Sequence, residues 1–195
     1  MSDCTSILID YFNRHIPLNK EEEAAVKVLF KERRIRKRHY LLQEGDICVN
    51  NSFVVSGCFR MFMVDKNGKE HNLQFSTEDW WISDLYSLFK REPSKLYIEA
   101  LENSIILYTT IDELLQLFED YPTFSHIFRI LTQNALASQQ QRILQYVSST
   151  AEERYLCFAQ KRPELLHRIS SVQIASYLGV TPEFLSTIRK KIAKS

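Results

Sequence analysis

The side chains best suited to metal binding or nucleophilic attack are few in this chain, and their spacing argues against both. Cys4, Cys48, Cys58 and Cys157 include no C-x-x-C pair, so they build neither a metal knuckle nor a disulfide framework and read as reduced thiols. His15, His39, His71, His126 and His167 include no H-x-H pair. A cupin-like metalloenzyme needs two or three histidines and a carboxylate converging on one ion; the β-forming region offers His71 alone for that role. No nucleophile elbow, P-loop or paired-histidine helix is present. The chain is therefore not expected to be an enzyme, and neither a metal nor an organic cofactor is expected.

The stretch with a coherent pattern is Ser170 to Lys191, SSVQIASYLGVTPEFLSTIRKK. Ser170 and Gln173 form a capping box in which hydroxyl and amide satisfy the first amides of a helix. Ile174 and Leu178 face inward, Ala175 is small where another helix crosses, Gly179 turns the chain and Val180 fills the corner. Thr181 caps a second helix, Pro182 takes its first position where the missing N–H costs nothing, and Leu185 and Ile188 complete the core face. These offsets predict a helix-turn-helix. Glu183, Ser186, Thr187 and Lys190 step by three, one and three residues, as one exposed stripe must. The early residues of that helix reach base edges in a major groove, and Arg189, Lys190, Lys191 and Lys194 reach phosphates. A plain helical hairpin in a core is the competing structural reading of the same pattern.

The elements ahead of this module change period along the chain. Glu21 to Lys31 has helical spacing after Asn19 as cap. Tyr40-Leu-Leu, Phe53-Val-Val, Phe59 to Val64, His71 to Phe75, Leu96 to Ala100 and Ser104 to Thr109 read as short strands, with Asn67-Gly68 as a hairpin turn. Asp84 to Lys90 is a helical patch beside Trp80 and Trp81. Asp112 to Tyr121 is a helix stopped at Pro122. Thr123 to Ser148 is a long helix without Pro or Gly, about 40 Å in length and polar around Ser138 to Gln141, which suits a rod pairing with its own copy. Thr150-Ala-Glu-Glu153 starts a fresh helix, Ala151 to Gln160. The fold expected is α+β: a double-stranded β-helix or jelly-roll-like domain over 1–122, a dimerisation helix over 123–148, and a helix-turn-helix domain over 149–195.

The 195 residues carry 25 Lys+Arg against 24 Asp+Glu, but the charge is unevenly placed. Residues 149–195 hold a net +4 and the rest a net −3, which fits a polyanion-binding module on a mildly acidic body. The run Lys31 to His39 is a second basic cluster, expected to be a solvated edge leading into the first strand. A hydrophobic fraction of 45% supports a packed core and excludes a disordered chain. The first twenty residues lack the features of a signal peptide, and no apolar run approaches a membrane span. A cytoplasmic protein with no membrane partner is expected.

The β-rich roll with Glu44-Gly45-Asp46 and Ser56-Gly57, the long helix and the terminal helix-turn-helix together resemble the Crp–Fnr family of bacterial transcription regulators, nearest the short Bacteroidetes-type members with runs like Ala151-Glu-Glu-Arg-Tyr155 and Ala175-Ser-Tyr-Leu-Gly179. The resemblance implies a cyclic-nucleotide-binding-like sensor roll, a homodimer through the long helices, palindromic double-stranded DNA as target, and RNA polymerase as a partner. The DNA-binding residues it implies are Thr181, Pro182, Glu183, Ser186, Thr187, Arg189, Lys190 and Lys191.

Where relatives that bind cyclic nucleotide carry Gly-Glu-Leu for ribose and Arg-Ser for phosphate, this chain reads Ser83-Asp84-Leu85 and Ser94-Lys95. Asp84, Ser94 and Lys95 are thus the ligand-binding candidates, but the bidentate guanidinium is missing and Lys95 is a point charge on a flexible stem. Cyclic AMP is not expected to bind tightly, and the roll is expected to respond to an unidentified small ligand or to none. The family's N-terminal cysteine cluster for iron–sulfur sensing is reduced to Cys4. Glu183 matches the family's base-reading acid, while Thr187 stands where relatives often have Arg. The alternative function is a ligand-binding module whose helix-turn-helix recruits protein instead of DNA.

Overall fold

The computed structural model describes residues 4–192. Two helices come first, α1 (Cys4–Asn13) and α2 (Lys20–Leu29). Asn19 caps α2 by accepting the N–H groups of Glu21 and Glu22, and Glu22 returns the bond to the Asn19 N–H, so the expected cap is present. Helix α1 buries Leu8, Ile9 and Phe12.

Eight strands follow: β1 (Lys31–Ile35), β2 (Tyr40–Leu42), β3 (Asn50–Ser56), β4 (Phe59–Val64), β5 (Glu70–Ser76), β6 (Trp81–Ile82), β7 (Tyr97–Ala100) and β8 (Ser104–Thr110). They form two four-stranded sheets, ordered β1-β8-β3-β6 and β2-β7-β4-β5, which is the expected roll. The β1–β8 and β3–β8 pairs are antiparallel, and a register shift between Val54 and Ser56 leaves Val55 as an inserted residue. Gly57 follows at φ +108°, and a Cβ there would stand 2.0 Å from the Ser104 hydroxyl oxygen. Only glycine fits this turn.

The basic run read as an approach to the first strand is itself the first strand. Lys31, Glu32, Arg33 and Arg34 are exposed on β1, an edge whose charges discourage further strand pairing. Its strand state comes from β8 rather than from its own propensity. The roll's core is aromatic: Phe12, Phe30, Phe53, Trp81, Phe124 and Phe128 meet through ring centroids 5.0 to 6.4 Å apart. Trp81 belongs to this cluster, while Trp80 is exposed.

Helix α3 (Leu85–Lys90) precedes β7, and α4 (Ile111–Asp120) follows β8. Helix α4 ends before Pro122 as expected, and Pro122 also opens α5 (Pro122–Ser148), because a proline costs nothing at a helix's first position. Phe124 and Ile127 are buried at the start of α5, whereas residues 132–141 are exposed throughout. After α5 come α6 (Ala151–Lys161), α7 (Leu165–Arg168), α8 (Ser171–Leu178) and α9 (Pro182–Ile192). The described chain forms two compact units, one of residues 4–61 with 75–133 and one of residues 62–74 with 134–192.

Candidate functional site

The second unit holds the helix-turn-helix. Thr150 and Glu153 cap α6 reciprocally, and Ser170 and Gln173 do the same for α8. Gly179 ends α8 in the left-handed region at φ +69°, so that its N–H and that of Val180 return to the carbonyls of Ser176 and Ala175. Tyr146 approaches so closely that a Cβ on Gly179 would lie 3.2 Å from its ring. The Thr181 hydroxyl accepts the Phe184 N–H at 3.2 Å and starts α9. Ile174, Ala175, Leu178, Leu185 and Ile188 are buried, as the pattern requires, while Val180 is half-buried at the corner. Arg154 fastens the turn, donating to the carbonyls of Leu178 at 3.2 Å and Ser149 at 2.7 Å.

This packing turns Glu183, Ser186, Thr187 and Lys190 outward together. The Thr187 hydroxyl donates to the Glu183 backbone carbonyl at 3.1 Å, and the Glu183 carboxylate stays exposed. Arg189 is placed differently. Its guanidinium donates to the Ser171 hydroxyl at 2.7 Å and lies 5.5 Å from the Tyr155 ring centroid, joining α9 to α8 and α6. Lys191 is exposed and pairs with Glu152 at 2.6 Å. Lys194 lies outside the described residues. Phe184 is not singled out by the pattern, yet its ring is exposed beside the stripe.

The same unit contains the β4–β5 hairpin tip. Asp65 accepts the N–H groups of Asn67 and Lys69 and faces His71 Nε2 at 2.8 Å. These bonds, the one from His71 foremost, lower its carboxyl to about 2. Ser176 of α8 accepts the Asn72 N–H at 3.0 Å and donates to the Glu70 carbonyl at 2.9 Å. Arg142 donates to the Leu73 carbonyl and stacks 4.2 Å from the Tyr177 ring centroid. No local signal announces these contacts, since the partners stand some hundred residues apart for Asn72 and Ser176.

The first unit holds the short cassette of ligand-binding candidates Asp84, Ser94 and Lys95. Asp84 caps α3: one carboxylate oxygen accepts the N–H groups of Tyr86 and Ser87 at 3.1 and 3.3 Å. The other accepts the Ser94 hydroxyl at 2.6 Å, and Ser94 Oγ also accepts the Leu96 N–H at 2.9 Å. Asp84 and Ser94 are both buried, and Lys95 is exposed. The structure thus joins Asp84 to Ser94 and leaves Lys95 apart. A separate cavity of about 300 Å³ opens among Leu42, Cys48, Ser52, Ile82, Ile98 and Ile106. Burial is the main cause raising the Cys48 thiol above its ordinary pKa. Among the described residues no group of three or more His, Cys, Asp or Glu is placed to hold a metal ion, and no helix is long and apolar enough to cross a membrane.

Residues 32–121 match the cyclic nucleotide-binding domain family. No curated protein matches the chain by sequence. Among solved structures it is similar to FixK2 from Bradyrhizobium japonicum, with a TM-score of 0.74, 18% identity and 85% of each chain covered. A mutant form of CooA from Carboxydothermus hydrogenoformans is similar at a TM-score of 0.69 and 21% identity, over 85% of this chain and 77% of that one. A crp/fnr-family protein from Eubacterium rectale gives 0.70 and 14%, over 94% and 88%. Residues 32–121 are therefore similar to cyclic nucleotide-binding domains, and the chain has the fold of these solved structures, one of them of the crp/fnr family.

Proposed function

We propose that this protein is a DNA-binding transcription regulator of the Crp–Fnr type, reading a two-fold symmetric site as a homodimer. The observation that carries this reading is the outward stripe Glu183, Ser186, Thr187 and Lys190 on a helix whose opposite face is buried. Glu183 accepts from a cytosine amino group in the major groove, Ser186 and Thr187 add shorter contacts, and Lys190 and Lys191 neutralise phosphates. Thr181 and Pro182 set the helix's entry into the groove. Arg189 supports the reader from within, through Ser171 and Tyr155.

The dimer forms along residues 123–148. Leu136, Ile143 and Val147 are exposed on α5 at steps of seven and four, a spacing that suits a helix paired with its copy. Two readers about 34 Å apart then meet successive turns of duplex. The division of labour is a sensor roll in 1–122, the pairing helix, and the reader in 149–195, with RNA polymerase as the partner at a promoter.

The roll does not take cyclic AMP in the usual mode. Asp84 and Ser94 satisfy each other, and no arginine stands at positions 94 or 95 to clamp a phosphate. The roll responds to another small molecule or to none, and any effector acts only so far as it binds one arrangement of the two readers better than another. Selection of bound sites from random duplex DNA tests the reading. A palindromic consensus whose affinity falls steeply with salt is expected; absence of enrichment at low salt overturns it and favours a helix-turn-helix that recruits protein.

A further inference from the structure

We infer that Phe184 is a sequence-reading residue, and that the group it reads is the C5-methyl of thymine; this rests on α9 being a DNA reader. The ring is 51% exposed, whereas Leu185 is fully buried and Ile188 nearly so. The core of the reader is thus closed without it. Successive helix residues turn by about 100°, which sets Phe184 between the buried face and the polar stripe, on the flank it shares with Thr187 and Lys191. Its backbone N–H is held by the Thr181 hydroxyl, and Pro182 fixes φ two residues earlier. The ring therefore projects from the rigid first turn of a helix, where a reading group is held most accurately.

The position on the flank selects the ligand. In the major groove a thymine methyl lies toward the margin beside its own backbone, while the cytosine amino group lies nearer the middle. Glu183 on the crest meets the amino group, and Phe184 on the flank meets the methyl. A phenyl ring has no conventional donor or acceptor and meets a base's N–H groups only weakly through its face, but it can remove a methyl group from water. Glu183 and Phe184 accordingly read neighbouring base pairs, one through hydrogen bonding and one through apolar contact.

The test uses the full-length protein and the Phe184→Ala and Phe184→Leu variants. Sites are selected from random duplexes, and the recovered site is remade with deoxyuridine replacing each thymidine in turn, which removes the methyl alone. At one symmetric position the unaltered protein is expected to lose about fourfold in affinity per half-site, the worth of one buried methyl group. Phe184→Leu retains part of this discrimination and Phe184→Ala loses it. Equal binding of both duplexes by the unaltered protein at every position overturns the inference while leaving the reader intact. So does discrimination by Phe184→Leu or Phe184→Ala as large as that of the unaltered protein. Should Phe184→Ala fail to fold, the unaltered protein and Phe184→Leu decide the question. Absence of salt-dependent binding to any duplex overturns the reader itself, and this inference with it.

Discussion

The cassette around Asp84 and the crest of α9 each carry a carboxylate beside hydroxyls, in opposite states. Both Asp84 oxygens are occupied by Tyr86, Ser87 and Ser94. Glu183, Ser186 and Lys190 stand exposed, without side-chain partners among the described residues. A buried polar group must find its partner inside the protein, and once found that partner excludes an incoming ligand unless the ligand offers more. An exposed one is held by water and exchanges it readily. Similar composition therefore yields a closed cluster in the roll and an open one on α9.

The largest expected effect comes from removing what presents the open site. Leu185→Ala should cost about 2–5 kcal/mol, melting the reader while the aromatic cluster of the roll keeps its near-UV dichroism. Chemical denaturation with a loss under about 1 kcal/mol would show that the stripe does not depend on this core. On the closed side, Asp84→Ala strands the Ser94 hydroxyl and two helix amides and should cost about 1–3 kcal/mol. Neither that variant nor the unaltered protein should gain thermal stability from cyclic AMP at about 1 mM, the weak end of specific affinity; a clear upward shift would mean the cassette opens.

Smaller effects separate the members of the open stripe. Glu183→Ala should relax the preference at one base pair by about 1–3 kcal/mol, while Lys190→Ala weakens all sequences alike and reduces the salt slope by about one. Matching selection profiles for Glu183→Ala and the unaltered protein would remove Glu183 from the reading set.

The smallest effect is acidic. Asp65, held by His71, Lys69 and Asn67, titrates at about 2 against an ordinary 3.8, and Glu113, held by Thr110, titrates at about 2 against 4.5. Both values are lowered on folding, so the stabilisation is complete above the ordinary value and disappears as pH falls toward 2. Carboxyl NMR should place both midpoints near 2, and titration of either near its ordinary value would show that its bonds do not persist in solution.

Local signals carry much of this architecture. Asn67-Gly68, the boxes at Thr150 and Ser170, and Gly179 before Thr181-Pro182 each solve a backbone problem within a few residues, and all lie where their pattern puts them. Lys31 to Ile35 is opaque because its partners in the sheet, on β8, lie 69 to 77 residues away. Pro122 serves twice, since the same residue ends one helix and starts another. Phe184 stands in view, but its chain neighbours do not settle how far a side chain on a helix flank is covered.

By itself, then, the order of residues determined the strand and helix periods, the caps, the turn of the reader and the missing guanidinium of the cassette, because each depends on chemistry within one element. Only the tertiary structure decided that Asp84 closes on Ser94, that Arg189 turns inward to Ser171, and that Ser176 holds the β4–β5 hairpin. Those outcomes depend on which groups meet in space when each buried donor and acceptor is satisfied, and no single segment carries that information.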